Sequence, residues 1–389
     1  MKYLYKKLYE AINTGIQKAL ILDDEDDISM NYQYKKISND FNIDKLLQDR
    51  QDEYRELIKH KDFYGCLNLY NSEYLHFEKR TIGYKVKSKK DLKKLVNYFK
   101  AELYDNFDLN WLDVSEITDM SKLFYNMEYF NCDISEWNVS NVTNMQYMFE
   151  WCENFNQDLS QWNISNVTNM CGMFWGCENF NSDLSQWNVS KVENMNSMFY
   201  KCEKFNSDLS NWDVSKVENM SSMFKECEIF TSNLSQWNVS NVKNMGCMFY
   251  NCYQFNQDLS NWDVYNVTNM CGMFWGCKNF NSDLSNWDVF NVKNMGSMFY
   301  NCYQFNQDLS NWNVSNVTNM AGMFNECYKF NSDLSQWNVS SVTDMSCMFW
   351  GCTNFKSNLS QWNVFKVEYY TDIFKKCPIK EEYKPKFKY

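Results

Sequence analysis

Residues 155–174 read FNQDLSQWNISNVTNMCGMF, and close copies of this string return every 25 residues. Trp162 recurs at this spacing from position 137 to 362, Phe174 recurs from 149 to 374, and a cysteine recurs from 152 to 377. A unit of this length is too short to bury its own core and must stack on its neighbours. The repeat therefore predicts a solenoid.

The array has about eleven turns, and its first turn, opened by Trp111 one residue out of step, is atypical like its last. Residues 241–290 and 291–340 are nearly the same throughout, which indicates recent internal duplication. An active site needs one asymmetric constellation of side chains. Near-copies do not supply one, so the array predicts no catalysis.

Each unit has two textures. Residues 159–164 alternate polar and apolar side chains, which favours a short strand, and stacked strands form a parallel ladder at about 4.8 Å per turn. Residues 167–174 space apolar side chains at three and four, which favours a short helix. We predict an α/β fold: a right-handed solenoid like that of leucine-rich-repeat proteins, whose period lies in the same range. A helix-free β-solenoid is the alternative.

The repeated pattern also resembles a known family. The array reads Asn-x-Asp-Leu-Ser-x-Trp-Asx-Val-Ser-Asn-Val-Thr-Asn-Met-x-x-Met-Phe-x-x-Cys, and it is similar over residues 108–377 to the repeat of BspA-like leucine-rich-repeat surface proteins. The resemblance implies a solenoid and a role in adhesion or protein binding. Members are often secreted or lipid-anchored, but no signal peptide or lipobox cysteine is found near the N terminus here. The sequence alone thus predicts a cytoplasmic location, and the resemblance implies surface display or export by a non-classical route.

The flanks differ from the array in texture. We predict a helical N-terminal flank over 1–80, a strand-helix cap over 81–110, the solenoid over 111–377 and a C-terminal tail over 378–389. Residues 88–91 have the spacing of a helix capping box. A cap is expected because the end of a solenoid exposes its core. The tail cannot continue the array and predicts a terminator followed by a loose end.

Charge and composition exclude several classes of function. The net charge is -11, and the array carries it, with 28 acidic and 14 basic residues over 111–377. A surface of this sign repels phosphate, so no nucleic-acid partner is expected. No apolar run is long enough for a transmembrane helix. The two histidines, His60 and His76, lie in the flank, and no catalytic motif is found, so we predict that the chain is not an enzyme and has no cofactor.

Several residue columns invite specific readings. We predict that the Trp column and the Cys column are buried core, the latter as reduced thiols, because the array has no Cys-x-x-Cys and no His. An Asp or Asn recurs every 25 residues from 133 to 358, where each side chain would accept a backbone N–H in a turn. Calcium bridging this Asx column is the alternative, and an exposed aromatic column that binds carbohydrate is the alternative for tryptophan.

Variable positions are better binding candidates than uniform columns, because variation indicates solvent exposure. Exposed aromatic side chains on a rigid scaffold are typical interface anchors. The candidate protein-binding residues are Trp175, Tyr200, Tyr250, Tyr253, Tyr265, Trp275, Phe290, Tyr300, Tyr303, Tyr328 and Trp350.

The function predicted from these features is a non-enzymatic scaffold that binds a protein partner through an acidic, aromatic-decorated face. A solenoid that binds calcium or carbohydrate is the main alternative, and an enzyme carried by the N-terminal flank is another. The sequence does not identify the partner or the oligomeric state.

Overall fold

The computed structural model describes residues 84–99, 109–110 and 112–387. The predicted helical flank over 1–80 lies outside the described residues, as does Trp111.

A small cap precedes the array. Strand β1 (Tyr84–Lys85) pairs in parallel with strand β2 (Leu112–Asp113), and helix α1 (Lys89–Phe99) follows β1 in the chain. The hydroxyl of Ser88 accepts the backbone N–H of Asp91 at 3.2 Å, which is the N-cap half of a capping box, and it donates to the Asp91 carboxylate at 2.7 Å. A strand and a helix thus lie within 81–110. Leu92 and Val96 of α1 are buried in the common core.

The array is a stack of turns joined by backbone hydrogen bonds. Parallel bridges link equivalent residues of successive turns, from Asp119 through Asn169 and Asn194 to Tyr369. Beside each bridge, alternate amides donate to carbonyl oxygens of the following turn at 2.7–3.0 Å. In one turn these donor and acceptor pairs are Met170 to Asn194, Gly172 to Asn196, Phe174 to Met198 and Gly176 to Tyr200.

The short helix predicted over 167–174 is wrong. The amide of Met173 donates to the carbonyl of Met170 three residues back, and the amide of Cys177 donates likewise to Phe174. Gly172 and Gly176 have φ of +59° and +76°, which is the third position of a type II turn. Two successive type II β-turns place apolar side chains inward at the three-and-four spacing of a helix. The amides between them donate to the following 25-residue turn of the array.

The predicted strand over 159–164 is also wrong. The amide of Trp162 closes a turn onto the carbonyl of Leu159 at 3.1 Å, and no strand is assigned there. Over 114–377 the described chain has neither helix nor strand, so the α/β class does not hold for the array. The helix-free solenoid alternative is the better description, with bridges in place of strands. The handedness stays a prediction.

The core consists of stacked columns, as predicted for the Trp and Cys positions. The rings of Phe174 and Phe199 stack at 5.7 Å, and those of Trp187 and Trp212 stack at 6.5 Å. The indole N–H of Trp187 donates to the carbonyl of Leu159 at 2.9 Å, so the polar atom of a buried tryptophan is satisfied by the preceding turn. No disulfide joins any two cysteines of the described ranges.

The C-terminal residues close the array. The amide of Leu359 donates to the carbonyl of Tyr383 at 2.8 Å, Ile379 is buried, and the rings of Tyr370 and Phe387 stack at 4.5 Å. A 3-10 helix spans Glu381–Tyr383. The predicted loose end is therefore wrong for residues 378–387, which pack on the last turn.

Candidate functional site

One column of side chains forms a ladder along the outside of the array. We use "ladder" for the six residues at successive multiples of 25: Trp175, Tyr200, Lys225, Tyr250, Trp275 and Tyr300. Ring centroids lie 5.0 Å apart for Trp175 and Tyr200, and 5.2 Å apart for Tyr250 and Trp275. The rings of Trp275 and Tyr300 lie 4.0 Å apart. All six side chains are half-buried.

Lys225 completes the ladder where it lacks a ring. Its ammonium nitrogen lies 4.7 Å from the ring centroid of Tyr200 and 4.8 Å from that of Tyr250. Cations within about 6 Å of a ring face are attracted by the ring quadrupole. The lysine therefore bridges two stacked groups that would otherwise be separated.

The backbone sets the ladder because each of its residues directly follows a buried phenylalanine. Phe174 points inward and its amide donates to the next turn, so Trp175 points outward. The carbonyl of Trp175 in turn accepts the amide of Trp151 at 2.7 Å. Backbone hydrogen bonds at and beside each ladder residue thus hold it to the preceding and the following turn of the array.

A second column stands three residues further along each turn. Five glutamates occupy it in the first turns, and tyrosine, lysine or threonine occupies it in later turns. Tyr303 and Tyr328 stack at 5.0 Å, and the Lys278 ammonium lies 4.4 Å from the Tyr253 ring. Burial, followed by the charge of Glu228, raises the pKa of Tyr253. The glutamates, here called the Glu column, are Glu128, Glu153, Glu178, Glu203 and Glu228.

The carboxylates of the Glu column influence one another. The pKa of Glu178 is raised, first by burial and then by the charges of Glu203 and Glu153, against the opposing charges of Lys201 and Lys204. In the part of the chain that the structure describes, no lysine forms an ion pair with a member of this column. The column is therefore a negative strip beside the aromatic ladder.

The remaining predicted residues lie apart from the ladder. Tyr265 and Phe290 occupy a third position, held by serine in most turns, and are 47% and 38% exposed. Within the described ranges, neither ring stacks on a ladder residue. Trp350 has the same position in its turn as the ladder residues, but the intervening turn has Asn325 there and so separates it from Tyr300. The Lys375 ammonium lies 4.5 Å from the Trp350 ring centroid. The eleven candidates thus form separate groups, and their role in binding stays a prediction.

The sequence prediction missed three features. Lys225 was omitted from the candidates, although its position is a multiple of 25 like that of its neighbours. A row of asparagine hydrogen bonds was also missed. The side-chain oxygen of Asn156 accepts the backbone N–H of Asn181 at 2.8 Å, and the same contact recurs along the array. The indole nitrogen of Trp175 is buried with no hydrogen-bond partner, which no sequence pattern signals.

The Asx column behaves as predicted. The Asp183 carboxylate accepts the backbone N–H of Ser185 at 2.9 Å, and the equivalent bond recurs from Asp133 to Asn358. This backbone hydrogen bond, followed by one from the Ser185 side chain, lowers the pKa of Asp183. Across the described ranges, no cluster of three or more His, Cys, Asp or Glu side chains has the geometry of a metal site.

These features define a class of protein: a repeat protein with stacked 25-residue turns. Three stretches, 90–210, 179–286 and 269–384, match the family described as "Mycoplasma protein of unknown function, DUF285". Together they span more than half of the chain, which therefore belongs to this family. No curated protein matches it.

Two solved structures are similar over much of the chain. A leucine-rich repeat protein from Eubacterium ventriosum is 12% identical, with a TM-score of 0.33, covering 71% of this chain and 83% of that one. A leucine-rich cell surface protein from Faecalibacterium prausnitzii is 12% identical, with a TM-score of 0.27, covering 71% and 82%. Because both TM-scores lie below 0.5, neither similarity bears on function. No helix in the described ranges is long and apolar enough to cross a membrane.

Proposed function

We propose that this chain is a non-enzymatic scaffold that binds a protein partner through the ladder and its neighbouring tyrosines. The observation that carries the proposal is the outward stack of five aromatic rings, each contributed by a different turn of a fixed backbone. The resemblance to BspA-like leucine-rich-repeat proteins supports adhesion as the biological setting. The compartment stays a prediction from the sequence.

The rings suit a protein partner for an energetic reason. Aromatic side chains dominate interface energetics because each can bury a large area with little loss of conformational freedom. Stacking between Tyr250 and Tyr300 already restricts the Trp275 side chain. Binding a partner therefore costs little further side-chain conformational entropy. The same stacking covers the ring faces inside the ladder. A sugar that stacks on a ring face has less access there, which favours protein over the carbohydrate alternative.

The test uses substitutions that the array itself contains. Tyr250→Lys and Trp275→Asn copy Lys225 and Asn325, which occupy the same position in other turns, so the double variant should fold. The immobilised full chain would be exposed to cell-surface proteins of the native source or its host, and captured proteins would be quantified by mass spectrometry.

The matched control changes exposed residues of the same region. Asp288→Asn and Lys293→Thr leave the net charge unchanged and copy Asn313 and Thr318. We expect the ladder variant to lose at least ten-fold of a captured protein that the control variant retains. Capture that is equal for wild type and ladder variant refutes the proposal.

A further inference from the structure

The charge beside the ladder narrows the kind of partner that fits it. The five members of the Glu column are spaced one turn apart, or about 4.8 Å, and extend over about 19 Å. An extended polypeptide rises about 3.3 Å per residue, so about six residues cover this length. The ladder members Trp175 and Tyr200 stand three residues before Glu178 and Glu203 in the same turns.

A lysine of the array already lies near both an aromatic ring and the Glu column. The Lys201 ammonium lies 5.2 Å from the ring centroid of Trp151, and its charge acts on Glu178 in the neighbouring turn. A basic head group is therefore accommodated between an aromatic ring and the Glu column. Long basic side chains also have apolar stems, which can pack on ring edges while the head group reaches a carboxylate.

The charge changes along the same face. After Glu228 the column continues with Tyr253, Lys278, Tyr303, Tyr328 and Thr353, so its C-terminal half has no carboxylate. A basic segment is attracted only to the N-terminal half, and the C-terminal half presents rings. A bound segment with one basic end and one apolar end would therefore lie in a single orientation along this face.

We propose that the Glu column and the adjoining ladder residues Trp175 and Tyr200 bind an extended, arginine- or lysine-rich segment of the protein partner. This inference rests on the proposed function, because it names the segment that the same face recognises. Arginine fits best, since its guanidinium group donates to carboxylates in two parallel hydrogen bonds.

The probe is a fluorescein-labelled octapeptide of alternating Arg and Gly, titrated with the full chain and followed by anisotropy. A second octapeptide has neutral citrulline in place of each Arg and keeps nearly the same shape. We expect the citrulline peptide to bind at least ten-fold more weakly. Salt raised from about 0.05 to 0.5 M should also weaken the Arg peptide several-fold, because it shortens the screening length.

Two triple variants separate a site from diffuse attraction. Glu153→Gln, Glu178→Gln and Glu203→Gln together should weaken the Arg peptide at least ten-fold. The control, Asp158→Asn, Asp183→Asn and Asp208→Asn, removes the same charge five residues further along the same turns. Asn233 and Asn358 show that the control position accepts asparagine. We expect the control to change affinity less than three-fold.

A third variant tests the rings. Trp175→Asn with Tyr200→Asn copies Asn325 and should weaken the Arg peptide at least three-fold. Equal losses in the Glu and Asp triple variants, or equal binding of the two peptides, overturn the inference. The proposed function is tested separately at Tyr250 and Trp275, so a partner lost there but insensitive to the Glu triple variant refutes only the basic segment.

Discussion

The thiol of Cys202 donates a hydrogen bond to the carbonyl oxygen of Phe174, with sulfur and oxygen 3.0 Å apart. The same carbonyl accepts the backbone N–H of Cys177 at 3.0 Å. The contact recurs at each cysteine of the column from Cys152 to Cys352. The column is therefore more than the small apolar filler that the sequence predicts, because each thiol ties its turn to the preceding one.

Replacing Cys202 by alanine should lower the free energy of unfolding by about 1–3 kcal/mol, from a lost hydrogen bond and a small cavity. The cost is limited because the Phe174 carbonyl keeps the Cys177 amide. Urea unfolding measures the change. Cys347→Ala is the control: Cys347 lies outside the column and is half-exposed, so its loss should cost about 0.5 kcal/mol or less. Equal costs for the two variants would contradict this role.

The buried thiols should resist alkylation in the folded protein. Burial, followed by the neighbouring Cys177 and Cys227, raises the pKa of Cys202 well above its usual range. The thiolate is the reactive form, and it is scarce at about pH 8 under these conditions. Iodoacetamide followed by peptide mass spectrometry should label Cys347 first and Cys202 only after urea is added. If Cys347 and Cys202 are labelled at the same rate in the native protein, the thiols of the Cys column are accessible to the reagent and the prediction is wrong.

Glu150 should destabilise the fold at neutral pH. It occupies the ladder position one turn before Trp175, is only 8% exposed, and burial raises its pKa against the opposing charge of Lys122. A carboxyl whose folded pKa is raised disfavours folding when it is ionised. Glu150→Gln should therefore raise the urea midpoint at pH 7, and the gain should shrink as the pH falls through the unfolded pKa of about 4.3 and vanish near pH 3, where the acid is protonated in both states.

The control for this prediction is Glu128→Gln at an exposed site, where the midpoint should change little. A stabilisation by Glu150→Gln that is the same at both values of pH would mean that shape, and not charge, sets the effect.

Removing whole turns should preserve the fold. Deletion of 241–290 joins Ser240 to Asn291, which is the residue type that Asn241 supplies, and every column stays in register. The variant should unfold cooperatively and keep the circular dichroism expected for its length. Deletion of 241–277 removes about one and a half turns and should abolish cooperative unfolding, because the Trp, Phe and Cys columns no longer align. Equal behaviour of the two deletions would refute the stacked-turn register.

Part of this structure follows from spacing alone. Uniform positions such as Trp187 and Phe174 must lie at one depth in every turn, so their burial was predictable. The helix was not excluded by the sequence, because Met170, Met173 and Phe174 point inward in consecutive type II turns as they would in a helix. Only the partner of each amide distinguishes the two, and that partner lies one turn away.

The candidate site was predictable to a similar degree. The variable aromatic positions do lie at the surface, but their grouping depends on the path of the backbone around each turn. Position within the repeat separates Tyr265 from Tyr250, and the same arithmetic would have placed Lys225 between Tyr200 and Tyr250. Burial of the Trp175 indole nitrogen depends on the neighbouring turns in three dimensions, and composition does not encode it.

The bonds between turns, such as that from Met170 to Asn194, also determine how the molecule responds to a pull on its two ends. Each turn is bonded only to the turns beside it, so tension separates these bonds row by row, as in unzipping, and does not shear them together. One released turn of 25 residues lengthens the chain by about 80–90 Å. A stack built in this way should therefore lengthen in equal steps of one turn while its remaining turns stay folded.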